Sequence, residues 1–167
     1  MTWYALLIAA VAVERVTELV VSQRNLSWSR ARGGIEFGAR HYPAMVVLHI
    51  GLLAGCLVEA EYRPFLPAVG WPMLAVVLAA QGLRWWCIAT LGRQWNTRVV
   101  VIPDAARVTS GPYRLFSHPN YVAVVVEGIA LPLVHTAWVT AVVFTVLNAV
   151  VLRARIGVEN SALARLR

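Results

Sequence analysis

Apolar residues fall in runs along this chain rather than in alternation, and the runs are long enough to matter. They extend from Trp3 to about Val21, Tyr42 to about Val58, Val69 to about Leu91, Tyr121 to about Val134, and Thr136 to about Leu152. About twenty apolar residues are needed to cross a bilayer as a helix. Runs of this kind predict an all-α bundle and exclude a membrane barrel, whose strands alternate apolar and polar positions. The fourth run is short for a full crossing. Leu131-Pro132-Leu133-Val134-His135 between the last two runs predicts the turn of a tight helical hairpin.

The polar breaks carry the orientation. Residues 22–41 hold Arg24, Arg30, Arg32 and Arg40 against Glu36, and residues 92–120 hold Arg93, Arg98, Arg107 and Arg114 against Asp104. The tail holds Arg153, Arg155, Arg165 and Arg167, whereas residues 59–68 hold Glu59 and Glu61 against Arg63. Five spans with the N-terminus outside put all three basic stretches in the cytoplasm, as the positive-inside rule requires. Four or six spans break that rule. The first run begins at Trp3 with no basic stretch before it, so it reads as a retained helix rather than a cleaved signal.

Composition agrees. The chain has 167 residues, 59% hydrophobic and 14% charged, far from the quarter charged of a soluble domain. We expect one integral membrane domain over residues 1–167, with 1–91 forming the first three spans and 92–167 a second half built on the hairpin. The net charge is +7 and every cation is arginine. A basic surface can bind nucleic acid; here the arginines lie at span ends, so orientation accounts for them and no nucleic-acid partner is expected. Cys56 and Cys87 lie inside apolar runs and read as small buried hydrophobes.

Candidate chemistry gathers in the basic breaks. Arg32-Gly33-Gly34-Ile35-Glu36-Phe37-Gly38-Ala39-Arg40-His41-Tyr42-Pro43 reads as a folded loop, either an interfacial linker or a wall over a site. Gly92-Arg93-Gln94-Trp95-Asn96-Thr97-Arg98 leads into Val99-Val100-Val101-Ile102-Pro103, an extended segment whose backbone can meet a ligand, with Trp95 as an interface anchor. The densest stretch is Gly111-Pro112-Tyr113-Arg114-Leu115-Phe116-Ser117-His118-Pro119-Asn120-Tyr121. Pro119 suits a first helical turn, and a helix start offers free N–H groups to an anion, with Arg114 able to add a charge-assisted contact. Tyr113, His118 and Tyr121 add hydroxyls, an imidazole and ring faces. Past the fifth run, Arg155 and Glu159 stand four apart on one helix face, either as a local ion pair or with Glu159 taking a cationic group of a ligand. Inside the runs, Glu14, Arg15 and Glu18 must face protein or the interface, and Arg84 and Glu127 are expected to face the bundle interior and each other.

Gly111-Pro112-Tyr113-Arg114, His118-Pro119-Asn120-Tyr121 and Arg155-Ile156-Gly157-Val158-Glu159 together resemble the isoprenylcysteine carboxyl methyltransferase family, most strongly its small bacterial members, some of which are associated with methylating phenolic lipids. Arg32 to Gly38 and His41 to Met45 resemble the same branch. The resemblance implies an S-adenosylmethionine-dependent enzyme of the bacterial inner membrane with its site facing the cytoplasm. It implies cofactor contacts by His118, Pro119, Asn120 and Tyr121, with Gly111, Tyr113, Arg114 and Glu159 beside them. Glu159 and His41 are then candidate bases, and Arg155 a group to orient an anionic acceptor. Ser117 stands where the family often has arginine, and Asn160 where it has a second acid. Both point toward a small lipid acceptor, a phenolic lipid ahead of an isoprenylcysteine-type carboxylate. The acceptor is expected from among lipophilic molecules in the membrane, with lipids as neighbours. The other readings are an NADPH-dependent reductase of sterol-reductase type, which shares a His-Pro-Asn-Tyr pattern, and a non-catalytic lipid-binding scaffold.

Overall fold

The computed structural model describes residues 2–39, 42–103, 105–106 and 108–165. Five helices follow one another: α1 (Thr2–Arg30), α2 (Tyr42–Ala60), α3 (Pro67–Leu91), α4 (Pro119–Leu133) and α5 (Trp138–Arg165). A two-stranded antiparallel ribbon, β1 (Ile35–Phe37) with β2 (Val99–Val101), joins the two long breaks, pairing Glu36 with Val100. The all-α membrane reading therefore holds. Large apolar side chains such as Leu6, Val47, Ile50, Leu78, Val142, Val146 and Val150 stand exposed on the helices. Water does not tolerate so much contiguous apolar surface, and lipid does. Three helices, α2, α3 and α5, are long and apolar enough to cross a membrane, while α4 is shorter.

Two helices outrun their apolar segments. α1 continues past Val21 to Arg30 because its polar second half is satisfied by a neighbouring loop. Ser22 shares a 2.8 Å hydrogen bond with Thr97, and Asn25 Nδ2 donates to the carbonyls of Gly92 and Trp95 at 3.1 and 2.7 Å. Trp95 is thereby buried at 2% exposure, not an interface anchor as its residue type suggested. α1 ends where Gly33, at φ +76°, turns the chain and the Gly34 N–H reaches back to the Ser29 carbonyl at 2.9 Å. A side chain at Gly34 would put Cβ 2.7 Å from that oxygen. α5 continues from the apolar run to Arg165, so Arg155 and Glu159 ride on one continuous helix.

The apolar core runs through Tyr4, Ile8, Val11, Leu52, Cys56, Val77, Leu131, Val134 and Phe144. Across it lies a polar network. Arg84 Nη2 meets Glu127 Oε2 at 2.5 Å, as the two charged positions inside apolar runs suggested. Arg15 joins them, reaching both Glu127 oxygens at 2.8 and 2.9 Å and Glu18 at 2.6 Å. Gln81 accepts from Arg15 at 3.1 Å and donates to Glu14. Isolated charges in hydrocarbon are costly, so this pairing pins α1 against α3 and α4 in one register.

Candidate active site

The α4–α5 hairpin brings the two signature stretches together. Pro132 lies in the last turn of α4, and Thr136 takes φ +57° with its hydroxyl donating to the Pro64 carbonyl at 2.6 Å. Glu59 of α2 caps the start of α5, accepting from the Val139 and Thr140 N–H groups at 3.1 and 2.8 Å. With the turn fixed at one end, the start of α4 and the far part of α5 lie side by side at the other.

There, Tyr121 is the joint. Its hydroxyl donates to Glu159 Oε2 at 2.5 Å and accepts from Arg155 Nε at 2.9 Å. Arg155 and Glu159 therefore do not form the direct pair that their spacing allowed; the tyrosine oxygen sits between them. His118 stacks on the Tyr121 ring with centroids 5.4 Å apart, and its Nδ1 lies 3.6 Å from Glu159 Oε1. The remaining Arg155 nitrogens are engaged too: Nη1 donates to the Met45 sulfur at 2.9 Å and Nη2 to the Thr97 carbonyl. One guanidinium thus ties α2, the loop before β2, α4 and α5 together.

The loop ahead of α4 is shaped by Gly111 and Pro112. Gly111 has φ +56°, and a Cβ there would fall 2.6 Å from Thr90 Oγ1, so the short 3-10 turn Gly111–Arg114 sits directly on α3. Pro112 is buried, and Tyr113 lies beside the buried Cys87 thiol. Burial, with the Cys87 thiol and then the Glu159 carboxylate adding to it, pushes the Tyr113 hydroxyl's pKa upward, so it stays protonated. Arg114 is exposed and makes no hydrogen bond among the described residues. Pro119 opens α4 and is buried. The helix start is less open than expected, because the Tyr121 and Val122 N–H groups both turn onto the His118 carbonyl at 3.1 and 3.2 Å. Beside them the Asn120 Oδ1 atom is buried without a hydrogen-bond partner among the described residues.

The structure thus gathers His118, Tyr121, Arg155 and Glu159, sets Asn120 in the same helix start, keeps Tyr113 beside Cys87, and leaves Gly111 and Arg114 as turn and surface. His41 lies outside the described residues. The Val99–Val101 segment is extended, as the sequence suggested, and pairs along one edge with β1. Residues that sequence reading did not bring to the site are Met45, Thr97 and the pair Glu36–Arg98, whose Oε1 and Nη1 lie 2.7 Å apart. The lone acid in each arginine-rich break was the available signal for Glu36. Arg98 and Arg30 outweigh the effect of burial and hold the Glu36 carboxyl below its ordinary range.

Comparison with known proteins matches residues 73–165 to the isoprenylcysteine carboxyl methyltransferase (ICMT) family. The chain is 38% identical to the uncharacterized protein YpbQ of Bacillus subtilis strain 168, over 95% of each chain. It is 25% identical to an uncharacterized protein of Haemophilus influenzae, over 95% of this chain and 93% of that one. The matched family region spans α4, α5, most of α3 and the loop between, the parts that build the Tyr121 cluster.

Proposed function

The chain belongs to the isoprenylcysteine carboxyl methyltransferase family, and from that premise we propose that it is an S-adenosylmethionine-dependent methyltransferase whose acceptor is a lipophilic molecule drawn from the bilayer. The observation that carries the reading is the Tyr121 hydroxyl held between Arg155 and Glu159 with His118 stacked on its ring. The cofactor's chemical groups suit this set. Its ammonium and sulfonium are cations, for which the Glu159 carboxylate and the aromatic faces of His118 and Tyr121 are fitting partners. Its hydroxyls and amino groups suit the unpartnered Asn120 Oδ1.

When bound, the cofactor supplies an electrophilic methyl group. The residues here do the rest by positioning. Arg155 holds Tyr121 and the flanking loop in place, Tyr121 fixes one oxygen of Glu159, and the second oxygen remains for a cation. Alignment of donor and acceptor is a large part of such a transfer. A carboxylate acceptor requires no base; a phenol, with a pKa of about 10, gains from one. Glu159 is the base candidate among the described residues.

In this reading all five helices embed in a bacterial inner membrane, α1 joined to α3 and α4 through the charged network and α4 as a short member of the hairpin. The arginine-rich breaks and the site face the cytoplasm, where a polar cofactor is supplied, while the acceptor approaches through lipid. The test is titration of purified protein with S-adenosylhomocysteine and with NADPH. Binding of the first, lost in folded His118→Ala and Glu159→Ala, is the expected result. Tight NADPH binding with no S-adenosylhomocysteine binding overturns it in favour of a reductase, and binding of neither in favour of a scaffold.

A further inference from the structure

The connection from β2 to α4 carries an apolar tip that stands clear of the bundle. Leu115 is 67% exposed and Phe116 45%. The tip is not slack chain. The Leu115 and Phe116 N–H groups both donate to the Pro112 carbonyl at 3.1 Å, and Pro112 itself is buried. A folded turn with a buried base thus holds two large apolar side chains outward. Adjacent apolar side chains held out in this way mark a surface that meets something other than water.

Its place narrows the partner. Gly111, which opens this turn, sits against Thr90 and Trp86 in the last two turns of α3. α3 is long and apolar enough to cross a membrane, so its end marks the level where hydrocarbon gives way to headgroups. Trp85 and Trp86 are exposed at that level, and tryptophan collects at that boundary. Charge points the same way. Arg93, just past α3, and Arg114, directly before the tip, are exposed and make no hydrogen bond or ion pair among the described residues. Residues 108–120 contain Arg114 and no acid. The fork of an arginine suits a phosphate, while its stem lies along apolar surface.

We propose that this turn is seated in the membrane surface. Leu115 and Phe116 enter the acyl boundary of the leaflet at the C-terminal end of α3, and Arg93 and Arg114 bind phosphates of anionic phospholipids there. His118 follows the tip by two residues and stacks on Tyr121, so the seating also sets where the Tyr121 cluster stands against the membrane. It involves no cofactor and is independent of the methyltransferase reading.

The test places a bimane probe on Leu115→Cys in the full chain, reconstituted in nanodiscs of phosphatidylglycerol and phosphatidylcholine. Cys56 and Cys87 are buried, and the parent protein treated alike corrects for them. Doxyl groups high on the lipid chains are expected to quench the probe. Aqueous iodide is expected to quench it far less than a probe at Asn160→Cys, an exposed position beyond the last apolar run. Doxyl-phosphatidylglycerol is expected to quench at lower mole fraction than doxyl-phosphatidylcholine. Arg93→Gln and Arg114→Gln are each expected to cut that preference by up to about fivefold, the contribution of one arginine at an anionic surface. Phe116→Cys carries the same measurement if Leu115→Cys does not label. Iodide quenching equal to that at Asn160→Cys, with none from lipid, overturns the seating and leaves the tip to a soluble partner. Equal quenching by the two lipids, or a preference that survives both arginine variants, overturns the phosphate contacts and the choice of partner.

Discussion

The arginine–glutamate cluster inside the bundle and the one around Tyr121 are built to opposite ends. In the bundle, Arg84 and Glu127 show 5% and 6% side-chain exposure, and their partners Arg15 and Glu18 come from a third element. At the other cluster, the His118 and Glu159 side chains are 21% and 29% exposed, Glu159 has one oxygen fixed by Tyr121, and its second oxygen lies 3.6 Å from His118 Nδ1, with no hydrogen bond among the described residues. The inner cluster spends its hydrogen bonds within the protein and holds helices in register. The outer one holds its residues by one edge and presents the other. The same residue types are enclosed and paired with one another in the first cluster, and in the second are fixed along one edge, which leaves Glu159 Oε1 for the ligand proposed above.

The comparison breaks most readily at the inner cluster. Glu127→Leu leaves the buried Arg84 and the half-buried Arg15 without their shared carboxylate and should cost about 3–5 kcal/mol, the range for stranding one partner of a buried pair. Unfolding in mixed micelles measures it, and restoring much of the loss in Arg84→Met combined with Glu127→Leu would show that the cost lies in the stranded charge. Glu159→Gln should do the reverse. It should weaken S-adenosylhomocysteine binding about tenfold or more, the scale of a charge-assisted contact, while the unfolding midpoint barely moves. A large stability loss with unaltered binding would erase the distinction between the clusters.

Tyr121→Phe sharpens the outer cluster from within. It removes the oxygen between Arg155 and Glu159 and should cost about 1 kcal/mol of stability, with a several-fold fall in transfer rate beyond any change in cofactor affinity. The smallest effect expected is at Glu36, in the β1 strand of the ribbon. Its carboxyl is held below the ordinary range, so it binds fewer protons folded than unfolded in the acid region. Its contribution is fully present above the unfolded value, about pH 4.3, and is lost as pH falls through the lower folded value. Glu36→Gln should flatten that acid limb of the stability curve, read by near-ultraviolet circular dichroism across pH.

Much of this was legible beforehand, for reasons tied to particular residues. The five apolar runs became five helices because a chain in lipid has few other ways to satisfy its backbone. Arg84 and Glu127 announced a pair, since neither is stable alone among apolar neighbours. That Arg15 and Glu18 complete it was not legible, because it depends on how α1 is rotated and how deep it sits against α3 and α4. Likewise the direct ion pair allowed by the spacing of Arg155 and Glu159 gave way to a hydroxyl from another helix. Trp95 was misread because its burial comes with the docking of its loop against α1, where Asn25, seventy positions earlier, bonds the Trp95 carbonyl.

The sequence by itself determined the class of molecule, the helical segments and the two stretches that make the candidate site, because hydropathy, proline and glycine act locally and charge asymmetry acts on each loop. The tertiary structure alone decided which atoms meet. The Pro132–Thr136 turn and the Glu59 cap align the ends of α4 and α5, and Met45, Thr97 and the ribbon close around Arg155. Side-chain hydrogen bonds act over about 3 Å, a distance that no spacing along the chain can specify between separate helices.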